Sequence, residues 1–145
     1  GGETRNVHDQ LHQIWRGLVD EGVISEEIYK QGTVLNFYKS PEEFMTPLKD
    51  TNSAAYRNGL RLVDERTVYV KCPYRRRWNE DGDTATFAAG LMATIRSWSR
   101  HSFASVAGDT IADEVYTRLE QRIAAAPDEW SLDYVEHHQM MEKVA

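Results

Sequence analysis

Apolar residues at Val7, Leu11, Ile14, Trp15, Leu18 and Val19 recur at spacings of three and four, which draws a single stripe along a helix over residues 7–19. Gly22 ends that pattern, and Ser25 followed by Glu26 and Glu27 predicts the N-cap of a short second helix. The stretch "SPEEF" at 40–44 is a further start signal: a capping serine, proline in the first turn and two carboxylates at the positive end of the dipole. It predicts a helix ending near Lys49.

The period then changes. Leu60, Leu62, Val68 and Val70 fall on one period-two face, and "TVYV" is rich in β-formers, so residues 60–70 predict a strand that Pro73 stops. "NEDGD" at 79–83 has the composition of a loop. Beyond it, Phe87, Ala88, Leu91, Ile95 and Trp98 predict a long helix from near Thr84 to about Phe103. Ile111, Val115, Leu119 and Ile123 predict another after Gly108, with Asp109 as its cap. The tail is ambiguous by local physics: Trp130, Leu132 and Tyr134 alternate as in a strand, whereas "QMMEK" holds good helix formers. The sum is an α+β chain, mostly helical, with too little sheet to stand by itself.

Composition narrows the functional classes. A chain of 145 residues with 41% hydrophobic content suits one core, so one domain over 1–145 is expected. Seventeen basic against 23 acidic residues give a net charge of −6, which repels phosphate backbones and argues against nucleic acid as a partner. No run approaches the roughly 20 apolar residues of a membrane span, and the first residues lack a signal-peptide pattern. With Cys72 as its single cysteine, the chain holds no intramolecular disulfide, so a cytoplasmic location without a membrane partner is expected. Gly1 and Gly2 fit either a tag remnant or the continuation of a longer chain.

Candidate chemistry is sparse. His8 and His12 stand four apart, as helical zinc ligands do, but no "HExxH" accompanies them, and pocket or surface histidines are the expectation. His137 and His138 are adjacent and point to different sides. Cys72 lacks the context of a nucleophile, and the chain has no "GxSxG" and no glycine-rich phosphate loop. "CPYRRRW" at 72–78 could stack bases. The plainer expectation for Arg75, Arg76 and Arg77 is a surface loop whose charge Glu80, Asp81 and Asp83 balance.

Two blocks resemble the C-terminal half of the carboxyl methyltransferases that act on salicylate, jasmonate and related acids, the SABATH family. In "LVDEGVISEEIYKQGTVLNFYKSPEEF", 18–44, the residues Gly22, Ile24, Glu26, Glu27, Tyr38, Ser40 and Glu43 stand where the family has their counterparts. In "IRSWSRHSFASVAGDTIADEVYTRL", 95–119, the interval from Arg96 to Gly108 is the one the family uses. "LRLVDERTVYV" falls at a family strand between them, so the resemblance covers nearly the whole chain. It departs at Arg100 and His101, where the family has Glu-Pro, at Asn36, where it has proline, and at Gly90, where it has asparagine.

The resemblance implies the cap half of a class I methyltransferase fold, with a last strand at 134–144 antiparallel to the strand at 60–70. It implies S-adenosylmethionine as the cofactor of the complete enzyme and a small carboxylic acid as acceptor, joined by in-line transfer that relies on positioning and desolvation. The cofactor half normally precedes the point where this chain starts, so no cofactor-binding and no catalytic residue is assigned here, and these residues are not expected to be active by themselves. For the acceptor, His8, Tyr38, Ile95, Trp98 and Tyr134 match pocket positions. Trp98 is larger than the family's usual residue, which implies a reshaped pocket. An unpaired sheet edge implies a homodimer. The alternative is a binding or interaction module that keeps this fold without catalysis.

Overall fold

The computed structural model describes residues 4–34 and 38–145. Among these the order is α1 (Val7–Asp20), α2 (Glu26–Gln31), α3 (Pro41–Lys49), α4 (Ala54–Arg57), β1 (Leu60–Val70), α5 (Pro73–Asp81), α6 (Thr84–Ala107), α7 (Asp109–Ala125), a 3-10 turn (Pro127–Glu129) and β2 (Tyr134–Lys143). The protein is α+β, mostly helical with a two-stranded antiparallel sheet, as expected. The chain divides into two compact units, one of Gly1–Leu35 with Cys72–Leu132 and the other of Asn36–Lys71 with Asp133–Ala145.

The first unit is helical. The Asn6 side-chain oxygen accepts from the N–H groups of His8 and Asp9, which starts α1, and the predicted stripe of Leu11, Ile14, Trp15 and Leu18 is buried. The α6 residues Phe87, Ala88, Leu91 and Ile95 and the α7 residues Val115, Leu119 and Ile123 close the same core, with Trp130 beyond the 3-10 turn. Burying one such leucine or isoleucine contributes about 1.5–3 kcal/mol. Trp15 packs its ring 4.8 Å from Phe103 and donates its indole N–H to the Tyr29 carbonyl at 3.0 Å. Gly108, rather than Asp109, occupies the N-cap of α7, and Asp109 takes the first helical position, where its charge still favours the dipole.

A second correction concerns "CPYRRRW", which is helical. Cys72 is the N-cap of α5, with its sulfur accepting from the Arg75 N–H, Pro73 stands in the first turn, and Gly82 ends the helix in the left-handed region at φ +69. Proline just inside a start and glycine just past an end is the helix asymmetry. That bracket was present in the sequence and outweighs the loop-like composition of "NEDGD".

The second unit is the sheet with α3 and α4. Ser40 caps α3 in a reciprocal box: its hydroxyl accepts from the Glu43 N–H, and the Glu43 carboxylate accepts from the Ser40 N–H at 2.7 Å. β1 and β2 pair from Leu60 opposite Lys143 to Val70 opposite Tyr134. Val63 is skipped by a bulge between Leu62 and Asp64. Because β2 is regular, that extra residue reverses the side on which β1 presents its side chains. Leu60 and Leu62 therefore share a face with Thr67 and His137, while Val68 and Val70 point to the other side. The single period-two face expected for these four residues is thus two half-faces. Gly59 leads into the sheet at φ +83, and a Cβ there would stand 2.4 Å from the Val144 carbonyl oxygen.

Candidate acceptor-side site

The capping of α1 by Asn6 and the burial of its stripe set His8 and His12 on one flank of the helix, one turn apart. Each histidine meets an aromatic ring from another element of the first unit. The His8 ring lies 5.0 Å from Trp98 of α6, tilted by 50°. His12 lies 5.4 Å edge-on from Tyr29 of α2, with the Tyr29 hydroxyl 2.5 Å from its Nε2. The Arg16 guanidinium stands 5.2 Å from the centre of the Tyr29 ring and pairs with Glu26 at 2.7 Å.

Burial holds the His8 imidazole below the usual histidine range, against a smaller opposing pull from Asp9, and so favours the neutral ring at pH 7. Trp98 is 43% exposed, whereas Ile95, three residues earlier on the same helix, is fully buried. The two mark the boundary where the α6 core stripe gives way to surface. A half-exposed indole beside a neutral imidazole offers a flat apolar wall and a hydrogen-bonding edge, which suits a planar group carrying a polar end.

Of the five residues matched to an acceptor pocket, the structure brings His8 and Trp98 into ring contact. Ile95 lies in the buried core stripe of the same helix as Trp98. Tyr38, 81% exposed, and Tyr134, about half exposed, belong to the second unit. Asn36, where the family has proline, lies outside the described residues. Among the described residues, no group of three His, Cys, Asp or Glu side chains is placed to hold a metal ion. The partnerships of His12 with Tyr29 and of Phe44 with His137, stacked at 6.3 Å in the second unit, were not legible in the sequence, because each joins residues with no shared period.

Two of the three arginines of α5, Arg75 and Arg77, are committed to local structure, while Arg76 is exposed. Arg75 lies over the rings of Trp78 and Phe87 at 5.0 and 5.6 Å and donates to the Asp128 carbonyl. Arg77 pairs with Asp81 at 3.2 Å, one of the acidic neighbours expected to balance it. Tyr74 packs into the space that Gly90 leaves on α6 and shares a hydrogen bond with Thr94 at 3.1 Å. In the groove between α5 and α6, about 320 Å³ and lined by Tyr74, Arg77, Trp78 and Phe87, Arg77 is paired with Asp81 and the Asp83 carboxylate accepts from the Thr86 N–H.

The strand-to-helix junction between β1 and α5 reads Lys71-Cys72-Pro73, without a glycine to bring backbone N–H groups close to a ligand. Comparison with protein-family models, curated proteins and solved structures finds no match to this chain. Among the described residues, no helix is long and apolar enough to cross a membrane.

Proposed function

We propose that this chain is the acceptor-side, capping part of an S-adenosylmethionine-dependent carboxyl methyltransferase of the SABATH type, a cytoplasmic protein whose acceptor is a small carboxylic acid. The observation that carries this reading is the contact of His8 with Trp98. Both residues match acceptor-pocket positions through the resemblance, they come from helices far apart in the chain, and their rings meet where the α6 stripe surfaces. The antiparallel pairing of 60–70 with 134–143 supports the same reading, since the resemblance requires it.

The work of these residues is binding and orientation. Trp98 covers one face of the acceptor, His8 offers a hydrogen bond to its polar end, and Ile95 fixes the depth at which the indole sits. An apolar wall also strips water from a carboxylate, which raises its reactivity. Cofactor binding is assigned to residues outside this chain, as the resemblance implies. On its own the chain pairs its open sheet edge with a second copy. A binding module without catalysis is the second reading, favoured by the glycine-free junction at Lys71–Pro73.

The test is titration of the isotope-labelled chain with a panel of small carboxylic acids, aromatic and aliphatic. At least one acid is expected to move the His8 ring and Trp98 indole resonances, and Trp98→Ala is expected to abolish the response. If no acid moves them, the acceptor reading fails. Calorimetry with S-adenosylmethionine is expected to show no binding to these 145 residues, and tight binding would overturn the placement of the cofactor elsewhere. Methyl transfer restored by adding a cofactor-binding part separates the enzyme from the binding module.

A further inference from the structure

Exposed apolar surface is concentrated on the two strands. Val63, Tyr69, Tyr134, Val135, Met140 and Met141 are each at least half exposed, and they are six of the ten large hydrophobics that stand out to solvent among the described residues. Among those residues, neither strand makes a backbone hydrogen bond on its outer side. A two-stranded ribbon with open edges is a template for a further strand. The two edges are not equivalent. β1 is interrupted by the Val63 bulge and runs on through Asp64, Glu65 and Arg66, features that blunt an edge. β2 is regular throughout and holds four of the six exposed apolar residues.

Pairing of β2 with its own copy is restricted by symmetry. Two antiparallel copies of one strand are related by a two-fold axis normal to the sheet, so opposite residues share a face and a residue lies on the axis. An axis through Glu136 sets that carboxylate against itself, and one through Gln139 sets Glu136 against Glu142. An axis through Met140 brings His137 to Lys143, and one through His137 puts two buried imidazoles together. An axis through His138 has none of these faults. It places Asp133 opposite Lys143, Val135 opposite Met141, and His137 opposite Gln139.

The remaining pairs agree with this choice. His137 and Gln139 lie on the face that carries Leu62 and Met141; the His137 Nε2 stands 3.4 Å from the Glu65 carboxylate of its own chain, and the buried Gln139 Nε2 has no hydrogen-bond partner. Such a group is costly to leave unmet. In this register each Gln139 faces the His137 of the other copy across the axis, and no like charges are set opposite one another. His138 on the axis is already held by its own Glu136 at 2.8 Å and points to the opposite side.

We propose that two copies of this chain join by antiparallel pairing of their β2 edges, centred on His138, to form a continuous four-stranded sheet. This rests on the self-association proposed above and adds its edge and register. Oxidation of the His138→Cys variant, with buried Cys72 left in place, is expected to give a covalent dimer in which peptide mapping links position 138 to itself. Gln139→Cys is expected to link poorly, because its copies stand two residues out of register, about 7 Å further along the strand. Lys143→Glu, which faces Asp133 across the axis twice per dimer, is expected to raise the dimer dissociation constant roughly tenfold. A dimer by light scattering that links through 139 and not through 138, or that ignores Lys143→Glu, overturns the register while self-association stands. A monomer at high micromolar concentration overturns both, and the response of His8 and Trp98 to acids is read separately.

Discussion

Gly90 lies inside α6, where glycine costs about 1 kcal/mol relative to alanine. By propensity, Gly90→Ala would stabilise the protein. The structure reverses the sign. A Cβ at position 90 would stand 2.5, 2.6 and 3.2 Å from the Cδ1, Cε1 and Cγ atoms of Tyr74, far inside the roughly 3.5–4.0 Å at which carbons attract. The ring cannot swing aside cheaply, because its hydroxyl is tied to Thr94 at 3.1 Å and its backbone belongs to the first turn of α5. Overpacking of this kind costs about 1–3 kcal/mol. Set against the propensity gain, Gly90→Ala is expected to destabilise by about 0–2 kcal/mol, in place of the gain of about 1 kcal/mol that propensity predicts. In a Tyr74→Ala background the obstacle is gone, and the same substitution is expected to stabilise by about 0.5–1 kcal/mol. The assay is urea unfolding followed by far-ultraviolet circular dichroism at one fixed protein concentration, on the four members of the cycle. If Gly90→Ala stabilises the protein with Tyr74 in place, the close approach of α5 to α6 is wrong.

Other outcomes are expected on the same grounds. Gly59→Ala combines a left-handed φ, costing about 1–2 kcal/mol, with a 2.4 Å approach to the Val144 carbonyl, so a loss of roughly 2–4 kcal/mol is expected in urea unfolding. Asp113 is held below the usual carboxylate range first by its hydrogen bond from Arg100 and also by the charges of Arg100 and Arg96, with desolvation opposing. Its contribution is therefore present above about pH 4 and lost as acid takes the pH below that, and Asp113→Asn is expected to flatten the acid limb of stability against pH. His8 has a folded pKa depressed by burial, so the unfolded chain binds its proton more readily. Stability is expected to hold above about pH 6.5 and to fall as pH drops below it, and Trp98→Ala, by uncovering the ring, is expected to move the His8 titration in NMR back towards the ordinary value.

Elements whose signals are local were legible from sequence. The α1 stripe, the Ser25 and Ser40 caps and the 60–70 strand are each set by residues within one or two turns of one another, and the structure has them at those places. Features set across elements were not. The side on which β1 presents its residues depends on how Val63 meets β2, more than seventy residues away, and a period count within one strand holds no trace of that. The tail at 134–143 is a strand because β1 is there to pair with it, although "QMMEK" has helical propensity. For the site, the resemblance named His8 and Trp98. Their contact joins α1 to α6, which the residues do not spell out, and Ile95 is fully buried.

The bulge at Val63 makes β1 a strand with two allegiances. Its first residues serve one side of the ribbon and its last residues the other, and the hand-over takes a single amino acid. Removing Val63 would leave every pair in place, with Leu62 still opposite Met141 and Asp64 opposite Met140, so Leu60 and Leu62 would keep their side and Val68 and Val70 theirs. Pairing Val63 in line instead would bring all four aliphatic residues to the same side, as the period of the sequence suggests. The extra residue thus lets aliphatic positions written at a single period reach both sides of the ribbon, and an alignment that gapped this position would still describe the same architecture.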